Sequence, residues 1–180
     1  MTQDPASEGY SVPRSFRRLR RMSLPYLVDQ ARVETLEVLG PTVTFLTPVD
    51  GDADAPCLIR GSIPAHGFVP LHSHADPETF LVISGELSGL VAGAWVPVRP
   101  GDVFHVPPNA EHAWRNDTDA PAVSVLVTRA RMAQFFREVG IGPSSETVDR
   151  FLAASERYGY WNASVEENAA IGLDLAALGT

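Results

Sequence analysis

Short apolar runs broken by glycine, proline and aspartate dominate the middle of the chain. VETLEVL, TVTFLTPV, CLIRGSI, ETFLVIS, LSGLVAG, WVPVRP, DVFHVPP and AVSVLVT all fall between residues 31 and 128. Strand-length runs bounded by turn residues, at roughly ten-residue spacing, predict an all-β barrel or sandwich. Past residue 130 the period changes. RMAQFFREVG places Met132, Phe135 and Phe136 at helical spacing, with Gly140 as a stop. VDRFLAASERYG repeats the pattern with an apolar stripe of Phe151, Leu152 and Tyr158. In SVEENAAIGLDLAALG, Ser164 and Glu167 form a capping-box signature. The first 30 residues are polar, proline-containing and weakly periodic. Three zones result: an N-terminal arm (1–30), a β-barrel (31–128) and a C-terminal helical extension (129–180). No internal repeat appears, so one barrel is expected.

Composition narrows the function classes. A chain of 180 residues with 44% hydrophobic residues is long enough for one domain with a substantial core. No run of apolar residues reaches membrane-spanning length, and no apolar stretch follows the basic residues near the N-terminus, so the reading is a cytoplasmic protein without membrane contact. The net charge of −8 opposes nucleic acid as the main partner. Arg14, Arg17, Arg18, Arg20 and Arg21 form a basic cluster in the arm, read as a solvated tail, as pairing with acidic surface or as a contact for an anionic partner. All 14 basic residues are arginine, which removes lysine chemistry from the possible mechanisms. Cys57 is the single cysteine, so no internal disulfide can form. Its flanks read as the start of a strand, which favours a packed thiol over a nucleophile.

Two segments carry candidate chemistry. In PLHSHADPETFLVISG, His72 and His74 lie two apart and share one face of a strand. Glu78 follows after Asp76-Pro77 has room to turn the chain, so its carboxylate can return toward the imidazoles from the adjacent strand. In RPGDVFHVPPNAEHAWRN, Pro107, Pro108 and Asn109 mark a turn before His112 opens a new strand. Three imidazoles and one carboxylate suit one divalent ion per chain, of Fe, Mn, Ni, Co, Cu or Zn. Such a set leaves coordination positions for water, substrate or dioxygen, as a catalytic metal requires.

These segments resemble the two signature motifs of the cupin superfamily. His72, His74, Glu78 and Gly85 match the first motif in spacing, while His66 stands where its leading glycine belongs and Gly67 lies one residue late. Gly101, Pro107, His112 and Asn116 match the second, with Asn109 replacing a glycine. Asparagine is the next-best residue for a left-handed turn. The resemblance implies a double-stranded β-helix, or jelly-roll barrel, with the helices appended. A narrower resemblance, over roughly residues 55–145 and including the phenylalanine-rich helix, is to bacterial single-cupin quercetin 2,3-dioxygenase-like proteins. It implies a metal-dependent dioxygenase for a small aromatic or enolic, flavonol-like substrate. Glu78 would then be both a metal ligand and the base that takes the substrate's hydroxyl proton. Only three residues separate His74 from Glu78, where several of those enzymes have four.

Phe80, Trp114 and Asn116 share strand parity with Glu78 and His112, which points them to the cavity as candidate substrate-pocket residues. For Phe80 and Trp114, core packing is an equal reading. His105 either lines the barrel as a proton shuttle or packs on the outer sheet. His66 reads as a turn residue at the rim, and Asp102 as a turn residue. The helices after residue 130 either close over the barrel mouth or pack on the outer sheet or in a dimer contact. Exposed barrel edges and the polar arm suggest a homodimer. Two other functions stay open: a non-redox isomerase, cyclase or decarboxylase using the metal as a Lewis acid, and a small-molecule-binding protein without turnover.

Overall fold

The structure is a computed structural model that describes residues 27–29, 32–140 and 145–177. The arginine cluster of the arm lies outside the described residues. Strands β1 (Thr35–Glu37), β2 (Thr42–Phe45), β3 (Pro56–Ile63), β4 (Phe68–Ser73), β5 (Glu78–Ser84), β6 (Leu87–Val91), β7 (Ala94–Val98), β8 (Val103–Val106), β9 (His112–Arg115) and β10 (Ala122–Arg129) come first. They are followed by α1 (Ala130–Val139), α2 (Ser145–Tyr158), β11 (Trp161–Asn162), α3 (Val165–Ala170) and a closing 3-10 turn, Leu175–Ala177. The expected jelly roll is present. One sheet runs β1-β2-β3-β10-β5-β8 and the other β11-β4-β9-β6-β7, with every pair antiparallel.

Alternation explains the strands. Along β10, Ala122, Ser124, Leu126 and Thr128 are buried, while Val127 and Arg129 on the other face are exposed. Its continuous ladder with β3 sets Ala122 against Ile63 and Arg129 against Pro56. Between the sheets, Ile63, Val82, Leu87, Val98, Trp114 and Ala122 form one core cluster. Gly85 turns β5 into β6 with φ +75°, and a side chain there would meet the Ala122 backbone at 2.7 Å. The matched motif glycine is therefore required both for its dihedral and for close approach.

The C-terminal extension is woven into the barrel. Met132 and Ala133 of α1 join Val43, Phe45, Cys57, Ile59 and Leu126 in a second core cluster. These strand residues lie on the same sheet face as Ile63, so α1 closes one end of the barrel rather than covering its outside. Gly140 ends α1, its N–H bonding to the Phe136 carbonyl. The apolar face of α2 departs from the expected stripe: Ala154 and Ser155 are buried, whereas Leu152 is 51% exposed. Helical spacing places Phe151, Ala154 and Tyr158 toward α1, and Leu152 falls outside that arc. The Ser164–Glu167 capping box forms as expected. β11 extends the second sheet by pairing with Ser73 and His72 of β4, and Asn168 accepts the Leu71 N–H at 2.9 Å. Cys57 is fully buried and accepts a hydrogen bond from Thr47, as a packed thiol; burial pushes its pKa up.

Candidate metal centre

Four side chains converge between the sheets: His72 from β4, Glu78 from the start of β5, His112 from the start of β9, and His74 from the loop joining β4 to β5. A β-bulge aims the first of them. Between the pairs Val69↔Trp114 and His72↔His112, β4 carries one residue more than β9. Pro70 sits in the bulge, where its missing N–H does not interrupt a ladder bond. Phe68 and Leu71, three apart, therefore share one outer cluster with Ala113 and Leu90, and His72 returns to the interior opposite His112.

One device orients all three imidazoles. His72 Nδ1 lies 2.7 Å from the Pro70 carbonyl, His74 Nδ1 2.8 Å from the Asp76 carbonyl and His112 Nδ1 2.9 Å from the Ala110 carbonyl. A carbonyl only accepts, so each Nδ1 carries the hydrogen and donates it. In the neutral ring each Nε2 then presents a lone pair inward. One ligand nitrogen from each ring lies within 4.8 Å of the others. Glu78 Oε2 is 2.9 Å from His112 Nε2 and 3.5 Å from His74 Nε2. Those three atoms are buried, and none makes a hydrogen bond. Buried lone pairs facing one another with no proton donor among them are costly, and a cation removes the cost. Charge agrees: Asp76 pairs with the Arg131 guanidinium, whereas among the described residues the buried Glu78 carboxylate has only His74 and His112 within ion-pair distance. The donor set of three nitrogens and one oxygen fits a borderline divalent ion.

The titration of His72 and Glu78 fits the same use, while that of His74 runs against it. Burial, and then the neighbouring His112 and His74, push His72 down to about 3, so it is neutral near pH 7. Burial alone would raise Glu78, but its contacts with His112 and His74 outweigh that and hold it at about 2. For His74, burial lowers the pKa, yet the Glu78 contact outweighs burial and raises it.

The expected pocket residues separate into different places. Phe80 and Trp114 point inward but pack edge to face at 4.7 Å, with Phe104 4.6 Å from Trp114, as the floor beneath the histidines. Asn116 is a correction. It is buried, its amide N–H groups serve the Ile63, Pro64 and Ala120 carbonyls, and its Oδ1 accepts from Thr118. With its polar atoms taken, it clips turns together beyond the end of β9, and the cleft it lines with His66, Phe68 and Arg115 includes none of the four candidate ligands. For His105 the outer-sheet reading is the one the strand geometry supports. Its neighbours Phe104 and Val106 are the less exposed residues of β8, so strand alternation turns its exposed ring outward, 2.9 Å from Thr79 Oγ1. With Leu90, Phe104 and His112 it lines a shallow cleft of about 200 Å³. His66 is a rim turn residue with φ +57°, paired with Asp119, and Asp102 caps the Arg99 N–H. Asn109 takes the left-handed conformation at φ +63°, and its N–H donates to the His74 carbonyl at 2.7 Å.

Two contributors escaped the sequence reading, and a third, Tyr160, was read only as one of the aromatic residues that could close over the barrel mouth. Pro70 sets the bulge, and a proline inside a strand pattern is its signal. Asp76 was read only as a turn residue beside Pro77. Its carboxylate is fully buried, accepting from Tyr160 at 2.9 Å and Arg131 at 3.1 Å. The Tyr160 ring lies 4.9 Å from that of His74, a contact that no local pattern specifies.

Comparison with known proteins agrees with this architecture. Residues 60–128 match the Cupin_2 family, described as a cupin domain. Quercetin 2,3-dioxygenase of Bacillus subtilis (strain 168) is 22% identical over 120 residues, covering 66% of this chain and 35% of that protein. H2HPP isomerase of Bacillus subtilis is 28% identical over 89 residues, 49% of this chain and 36% of that protein. The chain thus spans about a third of the length of either relative. Among solved structures, a polyketide cyclase from Streptomyces resistomycificus superposes with a TM-score of 0.52 at 15% identity, covering 73% of this chain and 99% of that one. At that identity the likeness concerns the fold alone. No helix among the described residues is long and apolar enough to cross a membrane.

Proposed function

The chain carries a cupin domain, and on that premise we propose that it is a metal-dependent dioxygenase for a small aromatic or enolic substrate. One observation carries the reading: a buried carboxylate oxygen without a hydrogen-bond donor stands within 3.5 Å of two inward-facing imidazole nitrogens. His72, His74, His112 and Glu78 would hold the ion. When bound, the metal polarises a substrate oxygen and provides a site for dioxygen.

The protein's own groups supply the remainder. Glu78 Oε2 is the base: it takes the proton of the substrate's enolic or phenolic hydroxyl, leaving the conjugate anion to react. A carboxylate with no committed donor can accept that proton without breaking an existing bond. The packed Phe80, Trp114 and Phe104 rings give the barrel interior an apolar lining that disfavours water at the reacting face. The shallow cleft that reaches His112 offers a small substrate an approach to the site.

A second reading, a non-redox isomerase or cyclase, uses the same base and metal, and is supported by the 28% identity to an isomerase. Oxygen uptake separates the two. Protein loaded with Fe, Mn, Co or Ni is offered single-ring catechols, enols and flavonols at an oxygen electrode. Uptake coupled to substrate loss supports the dioxygenase. Substrate conversion without uptake under every metal replaces it with the non-redox enzyme.

A further inference from the structure

His74 differs from the other imidazoles of the site in where it sits. His72 and His112 belong to strands whose ladders hold their backbones, whereas His74 lies in the short loop between β4 and β5. Besides the Asn109 N–H that donates to the His74 carbonyl, the restraint on that loop comes from the far end of the chain. Asp76, whose carbonyl accepts the His74 Nδ1–H, has a carboxylate that is fully buried. Tyr160 OH and an Arg131 N–H both donate to its Oδ2. Arg131 also donates to the Tyr158 carbonyl, so one guanidinium joins the start of α1, the end of α2 and the ligand loop. The Tyr160 ring lies against His74 on one side and against Phe135 at 4.6 Å on the other.

We propose that the C-terminal extension is part of the metal centre: Tyr160 and Arg131 position His74 through the buried carboxylate of Asp76. The proposal rests on the metal reading above. Removing the Asp76 charge or its donors frees the 74–77 loop, so the carbonyl that sets the His74 tautomer and bearing moves with it. Outer partners of this kind tune metal affinity by about 10–100-fold. Packing alone does not explain the arrangement, because apolar contacts would hold α1 and α2 on the barrel without a buried carboxylate.

Tyr160→Phe tests it, since the ring and its contacts remain and only the hydroxyl goes. Cobalt(II) affinity is read by competition with a fluorescent chelator, and ligand geometry by the cobalt visible absorption, neither of which depends on turnover. The expected result is an affinity about tenfold weaker or more, with an altered cobalt spectrum. Asp76→Asn should act the same way. Tyr158→Phe, which packs in the same cluster and has no contact with Asp76, should match wild type. If Tyr160→Phe fails to fold, Arg131→Gln carries the same expectation. Affinities within about twofold of wild type and an unchanged spectrum in Tyr160→Phe and Asp76→Asn overturn the proposal and leave the metal reading standing. A wild-type chain that binds no cobalt overturns both.

Discussion

Glu78 Oε2 and His112 Nε2 lie 2.9 Å apart in a buried space, and neither atom has a hydrogen-bond partner. The His112 hydrogen is on Nδ1, facing the Ala110 carbonyl, so a lone pair meets a carboxylate oxygen. An ion shared between them turns that repulsion into two ligand bonds, and the same oxygen is the one proposed to take the substrate proton.

Glu78→Gln should therefore separate the two roles. The amide retains an oxygen that can ligate weakly but carries no charge and is no base. Metal affinity should fall by about tenfold or more, comparable to other perturbations of a ligand set, while some metal still loads. Substrate-dependent oxygen uptake should disappear even at saturating metal. Elemental analysis beside the oxygen electrode checks both, and a fully active variant would remove Glu78 as the base.

Each imidazole should be needed for loading. His72→Ala, His74→Ala and His112→Ala should each leave less than about a tenth of an ion per chain after metal-supplemented purification, because two nitrogens and one oxygen no longer close the site. His105→Ala, on the outer face, should load like wild type. Metal retained in His112→Ala at the wild-type level would dissociate that residue from the centre.

Asn116→Ala should damage the fold and spare the chemistry. It strips partners from the Ile63, Pro64 and Ala120 carbonyls and from the Thr118 N–H in a fully buried position. A loss of about 2–3 kcal/mol is expected by urea denaturation, with metal stoichiometry unchanged. A loss of metal at unchanged stability would instead return Asn116 to the pocket.

The metal-free protein should lose stability on mild acidification. His72 has a folded pKa of about 3 against an ordinary value of 6.5, so between those values the unfolded chain binds more protons and stability falls as the pH drops. Glu78, held at about 2 against 4.5, adds to the loss only below pH 4.5. His74 has the opposite sign: its pKa is raised, so its contribution is complete below 6.5 and is lost as the pH rises through its folded value. Melts in chelator between pH 6.5 and 4.5 thus report mainly on His72. The melting temperature should fall across that window, and His72→Gln should flatten the slope; parallel slopes would contradict the assignment.

Much of the fold was legible because its signals are local. Period-two alternation marked the strands, turn residues separated them, and Asn109 takes the left-handed turn its residue type allows. The motif spacings grouped His72, His74, Glu78 and His112, which the structure brings together. Parity placed Phe80 and Trp114 inward correctly but said nothing of depth, so the floor of the barrel was indistinguishable from a pocket wall. For Asn116, parity failed as a guide because the residue lies past the strand's last paired position, where turn carbonyls capture its amide.

What the amino-acid order determined by itself is whatever backbone geometry propagates over a few residues: strands, turns, caps and the shared face of His72 and His74. What only the tertiary structure decided is which distant segments meet. Asp76 and Tyr160 are 84 residues apart, and no periodicity relates them. Their contact exists because α1 and α2 bury Phe135, Val139 and Ala154 at the barrel end, and that packing carries Tyr160 to the loop of His74. Local spacing can place three imidazoles and a carboxylate near one another, but the restraint on their bearing comes from side chains that only the closed core brings within reach.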